Sequence, residues 1–144
     1  MHLPLVYVVI LNWNLKQETA ECVSSVLRSD YSPFRVLIVD NGSTDGSVEF
    51  FRSEFPDLEI IANQENLGCA AGNNVGTEHA LCHDADYVLL LNNDAITDRG
   101  LLREMVAVGE SETEIGILAP LILRHDDQDK IWYLGHREHR LLPL

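Results

Sequence analysis

The chain has 144 residues, 46% hydrophobic and 23% charged, and a net charge of −13. A single domain of this length buries about 68–70% of its unfolded surface and needs no covalent or metal staple. The acidic balance argues against nucleic-acid binding, which sets Lys and Arg against phosphate, and against a polybasic membrane contact.

Three cysteines, Cys22, Cys69 and Cys82, form no Cys-x-x-Cys pair. They read as reduced, mostly structural thiols, which fits a cytoplasmic compartment. Met1-His2-Leu3-Pro4 lacks a charged leader, and no apolar stretch is long enough to span a bilayer.

Leu5–Leu11 is apolar and β-branched and predicts a first strand, ended by Asn12-Trp13-Asn14. Ala20, Val23, Val26 and Leu27 recur at helical spacing between Gln17 and Arg28, before the Ser32-Pro33 break. Arg35–Val39 predicts a second strand and Gly42–Gly46 a turn. Val48, Phe50, Phe51 and Phe55 mark a helix stopping before Pro56, and Leu58–Ala62 a third strand. After the loop Asn63–Gly68, Ala70–Leu81 predicts a helix, Tyr87–Leu91 a fourth strand and Arg99–Val108 a fourth helix. Ile115–Ala119 predicts a fifth strand, with Leu121–Arg124 as a possible extension. This alternation predicts an α/β fold, a mostly parallel sheet with helices on both faces. The polar segment His125–Lys130 then begins something new. Residues 1–124 read as one α/β domain and 125–144 as the start of a second part, cut short.

Ligands of parallel sheets bind outside the carboxyl ends of the strands. Two apolar runs that look covered on both faces end there on carboxylates. Asp40 closes the second strand and is followed by Asn41-Gly42-Ser43-Thr44-Asp45; Asn92-Asn93-Asp94 closes the fourth. Turn chemistry accounts for Ser43, Thr44 and Asp45, with Asp45 favourable near a helix N-terminus. A carboxylate beside an amide oxygen, as in Asp94 and Asn92, suits Mg²⁺ or Mn²⁺ with substrate phosphates completing the shell. Asn66 and Gly68 stand at a helix entrance, where side-chain and N–H groups meet anions. Gly68, Gly72 and Gly76 recur every four residues, and tight helix-on-sheet packing explains Gly76 and Ala70. His79 and His83 lie four apart without the glutamate of a His-Glu-x-x-His motif, so a solvated helix face is the plainer reading. His136, His139 and the Asp126/Asp127/Asp129 run read the same way, and Trp13 and Trp132 as packing residues.

Four segments together resemble family 2 glycosyltransferases, in particular the rhamnosyltransferase-like branch. They are Val9–Asn14, Val39–Ser47, Asn66-Leu67-Gly68 with Ala71–Gly76, and Leu90–Asp94. The resemblance covers Leu5 to about Gly135 and implies the GT-A fold, a Rossmann-like nucleotide-binding half joined to an acceptor-binding half. It implies a nucleoside-diphosphate sugar as donor, a divalent metal, and inverting transfer to the hydroxyl of a glycan or lipid-linked acceptor in cell-surface polysaccharide biosynthesis. Asp40 would receive the base, with Asn12 and Asn14 bordering the pocket. Asn92 and Asp94 occupy the Asp-x-Asp positions, with Asn92 a departure from Asp that leaves Asp94 the one charged ligand. The catalytic base matches no residue and is expected downstream of Leu144. A full-length protein would be cytoplasmic, or peripheral to the inner face of the membrane.

Other readings remain open. One is a non-catalytic nucleotide-binding fragment, differing only in activity. A receiver-like signalling module ranks lower, because Asn12, Asn14 and Pro120 stand where it needs acidic residues and a lysine. A dinucleotide-binding oxidoreductase lacks its Gly-x-Gly-x-x-Gly after the first strand. Apolar residues from Trp132 to Leu144 suggest self-association.

Overall fold

The computed structural model describes residues 3–134. The readings made for His136, His139 and the apolar end lie outside the described residues, apart from Trp132, Tyr133 and Leu134. The elements in order are β1 (Val6–Asn12), α1 (Lys16–Val26), β2 (Phe34–Asp40), α2 (Ser47–Glu54) and β3 (Glu59–Ala62). There follow α3 (Gly68–Cys82), β4 (Tyr87–Asn92), α4 (Leu101–Ser111), β5 (Ile122–Leu123) and β6 (Ile131–Tyr133). Two units can be distinguished, residues 1–103 and residues 104–144.

In the first unit β1 to β4 form a parallel sheet in the order β3-β2-β1-β4. The α/β parallel architecture expected from the alternation is therefore present. Central β1 and β2 are buried on both faces, which is why they carry unbroken Val, Ile and Leu. On one face Tyr7, Val9, Leu37 and Val39 pack with Ala80 of α3. Gly76 lets that helix approach, since a Cβ there would lie 2.3 Å from Val9 Cγ1. On the other face Val8, Ile10, Val36 and Ile38 are buried, with α1 adjoining β1 and α2 adjoining β3. Each fully buried aliphatic side chain contributes about 1.5–3 kcal/mol.

The second unit departs from expectation. Ile115–Ala119 forms no strand, and Ile117 is 94% exposed. The run offers two isoleucines and a leucine around Gly116, and Pro120 ends it without an N–H to donate. Its hydrophobicity alone cannot supply a ladder partner. Ile122–Leu123 pairs antiparallel with Ile131–Tyr133 instead of extending a fifth parallel strand. The intervening acidic loop is closed by Arg124 with Asp126 and by Lys130 with Asp127.

Other expectations are corrected as well. The Tyr87–Leu91 run is only partly covered, with Leu90 half-exposed, because β4 pairs with β1 alone among the described strands. Trp13 and Trp132 do not pack; they are 52% and 72% exposed. Ala70 is exposed, so close packing belongs to Gly72 and Gly76. Cys22 is buried, but Cys69 and Cys82 are exposed and free. His79 is more than a solvated face residue, because its Nε2 lies 2.5 Å from Glu59 Oε2 and its ring stacks on His83.

Candidate functional site

Strand register gathers the polar residues at one edge. Asn12 of β1 lies beside Asp40 of β2, and Leu11 beside Asn92 of β4. From β1 the chain proceeds outward to β2 and β3, then returns to place β4 on the other side of β1. The crevice at the carboxyl ends of β1 and β4 is thus where the strand order reverses, the usual ligand position of an open α/β sheet.

Asp40 is 1% exposed and fully engaged from inside. Its Oδ2 accepts from Asn12 Nδ2 at 2.7 Å, and its Oδ1 from the Ser43 N–H at 2.9 Å. The second proton of Asn12 Nδ2 goes to Ser43 Oγ at 3.1 Å, and Asn12 Oδ1 accepts from Thr19 Oγ1 at 2.8 Å. Asn14, in the left-handed region that Asn tolerates, donates its N–H to Ser43 Oγ and accepts from the Thr44 N–H. The two turns that end β1 and β2 are therefore one hydrogen-bonded body. Asp45 accepts from Ser47 N and Oγ at the start of α2, and those bonds, with Lys16 nearby, outweigh desolvation and hold its carboxyl below the usual range.

Asn41, also buried, binds the next loop. Its Nδ2 donates to Asn66 Oδ1 at 2.9 Å and Gly68 O at 3.3 Å. Its Oδ1 accepts from Asn63 Nδ2 and from the Leu67 N–H, each at 3.1 Å. Asn66 Oδ1 also accepts the Gly68 N–H at 2.8 Å, at the start of α3. Gly42 is required here. Its φ is +75°, and a Cβ would stand 2.6 Å from the Glu65 carbonyl carbon.

At the end of β4, Asn92 and Asp94 are exposed while Asn93 turns inward. Asn93 Nδ2 donates to Thr19 Oγ1 at 2.9 Å, and the Cys22 thiol donates to Asn92 O at 3.4 Å. Burial, with Asp94 adding to it, pushes the Cys22 thiol up to about 12, so it stays a donor. Among the described residues no group of three or more His, Cys, Asp or Glu is placed to hold a metal. One exposed carboxylate next to an amide fits a hard cation only as Mg²⁺ is commonly held, through one or two carboxylates with substrate phosphates and water.

Comparison with known proteins places the chain in a family. The family model for glycosyl transferase family 2 matches residues 7–143. The chain belongs to that family. Glycosyltransferase AglE of Haloferax volcanii is 36% identical over 83 residues, covering 54% of this chain and 27% of AglE. Putative glycosyltransferase EpsE of Bacillus subtilis is 26% identical over 145 residues, covering 97% of this chain and 49% of EpsE. Mannosyltransferase PcManGT of Pyrobaculum calidifontis, solved with GDP-Man and Mn²⁺, superposes with a TM-score of 0.61 at 26% identity, over 71% of this chain and 31% of that one. TarS of S. aureus, solved with UDP-GlcNAc, gives 0.63 at 23% identity, over 74% of this chain and 31% of TarS. The fold is GT-A. This family 2 chain spans under half the length of these relatives.

The residues singled out in this family 2 chain all sit at the carboxyl edge, but not alike. Asn12 and Asp40 are internal, while Asn14, Asn66, Gly68, Asn92 and Asp94 are exposed. Thr19, Asn41 and Ser43 carry much of the bonding and were not singled out. Asn41 and Ser43 lie inside the strand-end turn and gave a local signal of turn chemistry, whereas Thr19, with a partner 74 residues distant, gave none. Trp13 leaves a large ring in solvent beside the β1 turn, and aromatic faces of this kind stack on nucleobases.

Proposed function

We propose that residues 1–124 form the donor-binding part of an inverting glycosyltransferase and that 125–144 begin its acceptor part. The donor is a nucleoside-diphosphate sugar. The reading rests above all on the joined turns at the β1 and β2 ends facing the Asp94 turn across the point where strand order reverses. The nucleotide sugars bound to two structural relatives support it.

In this reading Asp40 acts on the base side through Asn12 and the Ser43 turn, which it holds in place. Asn14, Asn66 and Gly68 border the pocket, and the Trp13 ring offers a stacking face. Asn92 and Asp94 would hold a Mg²⁺ or Mn²⁺ ion that arrives with the diphosphate and neutralises its charge as it departs. The acceptor hydroxyl oxygen bonds to the anomeric carbon as the bond to the diphosphate oxygen breaks, and the diphosphate keeps that electron pair. A carboxylate general base takes the hydroxyl proton. We assign that base to the acceptor half that the relatives' extra length supplies. The rhamnosyltransferase-like branch, a glycan or lipid-linked acceptor on the cytoplasmic side, a role in cell-surface polysaccharide synthesis, and self-association through the exposed Trp132 and Leu134 belong to the same proposal.

Titration calorimetry with UDP, GDP and dTDP, each with Mn²⁺ or EDTA, tests the reading. One diphosphate should bind saturably, Mn²⁺ should tighten it, and Asp94→Ala should remove the tightening. Mn²⁺ alone should show no tight site. A folded chain that binds none of the three overturns the donor-site reading.

A further inference from the structure

Helix α1 carries three small buried residues at positions i, i+3 and i+6, namely Thr19, Cys22 and Ser25. This spacing sets them along one oblique ridge of the helix, inclined to its axis. Each bonds to the segment that leaves β4. Thr19 Oγ1 accepts from Asn93 Nδ2 at 2.9 Å. Cys22 Sγ donates to Asn92 O at 3.4 Å. Ser25 Oγ accepts the Thr97 N–H at 3.0 Å. Ser25 spends its own proton on Cys22 O at 2.7 Å, so the 3.0 Å contact with Thr97 Oγ1 has Thr97 as donor.

Thr19 is the distinctive rung. Its hydroxyl proton goes to Asn12 Oδ1 at 2.8 Å, and its oxygen takes the Asn93 bond. Asn12 in turn holds Asp40. A continuous path Asp40–Asn12–Thr19–Asn93 thus joins the turn after β2 to the turn after β4. No other side chain on the path could replace a hydroxyl that both donates and accepts at one point. Because Asn93 is drawn inward, its neighbours Asn92 and Asp94 face outward.

We infer that Thr19 is a positioning residue that registers the Asp94 turn against the Asp40 turn, so that one diphosphate nucleotide meets both. The inference rests on the donor-site reading above. Thr19 touches no ligand; it acts through Asn93 and Asn12. Thr19→Val keeps the shape of the side chain and removes both hydrogen bonds, whereas Thr19→Ser keeps them. Asn93→Ala removes only the tether to the Asp94 turn and leaves Asn12 bonded.

The test is the gain in nucleoside-diphosphate affinity when EDTA is replaced by Mn²⁺, measured by calorimetry for the wild-type chain, Thr19→Val, Thr19→Ser and Asn93→Ala. Hydrogen exchange of residues 92–97 is followed in parallel. Expected is a loss of at least tenfold in the Mn²⁺ gain for Thr19→Val and Asn93→Ala, with faster exchange in 92–97 and recovery of both in Thr19→Ser. A general loss of stability would weaken binding with and without Mn²⁺ alike and leave the gain unchanged. An unchanged gain in folded Asn93→Ala overturns the inference while leaving the donor site intact, and serves if Thr19→Val does not fold. A wild-type chain that binds nucleotide without any Mn²⁺ gain also overturns it. A folded wild-type chain that binds no diphosphate overturns the donor reading itself.

Discussion

Gly42→Ala puts the joined turns under direct stress. Gly42 has φ +75°, where an L side chain costs about 1–2 kcal/mol. The added methyl would also stand 2.6 Å from the Glu65 carbonyl carbon and 2.7 Å from its Cα, both backbone atoms that no rotamer change can remove. Overpacking of this kind costs about 1–3 kcal/mol. The loop cannot retreat freely, since Asn41 grips it through Asn63, Asn66, Leu67 and Gly68. Giving up two of those bonds would cost about 1 kcal/mol each. Losing those bonds is an alternative to bearing the overlap and not a further cost, so the backbone and overpacking terms together give roughly 2–5 kcal/mol, or a fall in Tm of about 4–20 °C at roughly 2–4 °C per kcal/mol. Gly68→Ala is the internal control. Gly68 has φ +81° but nothing within 4 Å of its would-be Cβ, so only the backbone cost of about 1–2 kcal/mol applies. Urea unfolding gives both values. Equal losses for the two variants, or a loss below about 0.5 kcal/mol for Gly42→Ala, would refute the close-approach reasoning.

Asn12→Leu strands the Asp40 carboxylate and the Thr19 hydroxyl inside the protein, and urea unfolding should register a loss of about 2–5 kcal/mol. A thiol reagent should modify Cys69 and Cys82 quickly and Cys22 only after denaturation, because Cys22 is buried with its pKa near 12; three fast thiols in the native chain would contradict this. Partial burial pushes the Glu59 carboxyl up, but hydrogen bonds from His79, Arg35 and Tyr7 outweigh it and leave the group below its usual value. Its stabilising contribution is therefore complete above the unfolded carboxylate pKa of about 4.3 and is lost as pH falls through the lower folded value. Glu59→Gln should thus cost more stability at pH 5.5 than at pH 2.5, and a cost independent of pH would contradict the pairing.

Much of the fold was legible because burial writes itself locally. β1 and β2 are buried on both faces, and their unbroken apolar runs give them away. The Ile115–Ala119 run misled for the same reason, since apolar character does not say whether a neighbouring strand exists to pair with. β4 carries the sequence of a buried strand but sits at an edge, which only the strand order reveals. The carboxyl-edge residues Asp40, Asn92 and Asp94 were legible from turn chemistry after strands. Their exposure was not, and Asp40 and Asp94 prove opposite in this respect. Thr19 and Ser25 gave no signal, because a threonine or serine on a helix gains its meaning from partners more than 70 residues away.

The central claim is that the carboxyl edge of the sheet receives a nucleoside diphosphate. Amide chemical-shift mapping by NMR tests it most directly, with UDP, GDP and dTDP added in turn in the presence of Mg²⁺. The account predicts perturbations at residues 12–14, 41–45, 66–68 and 92–97. The Tyr7, Arg35, Glu59 and His79 cluster, near the amino-terminal ends of β1, β2 and β3, should stay unmoved. Shifts centred on that cluster, or a spectrum unchanged by all three nucleotides, would contradict it.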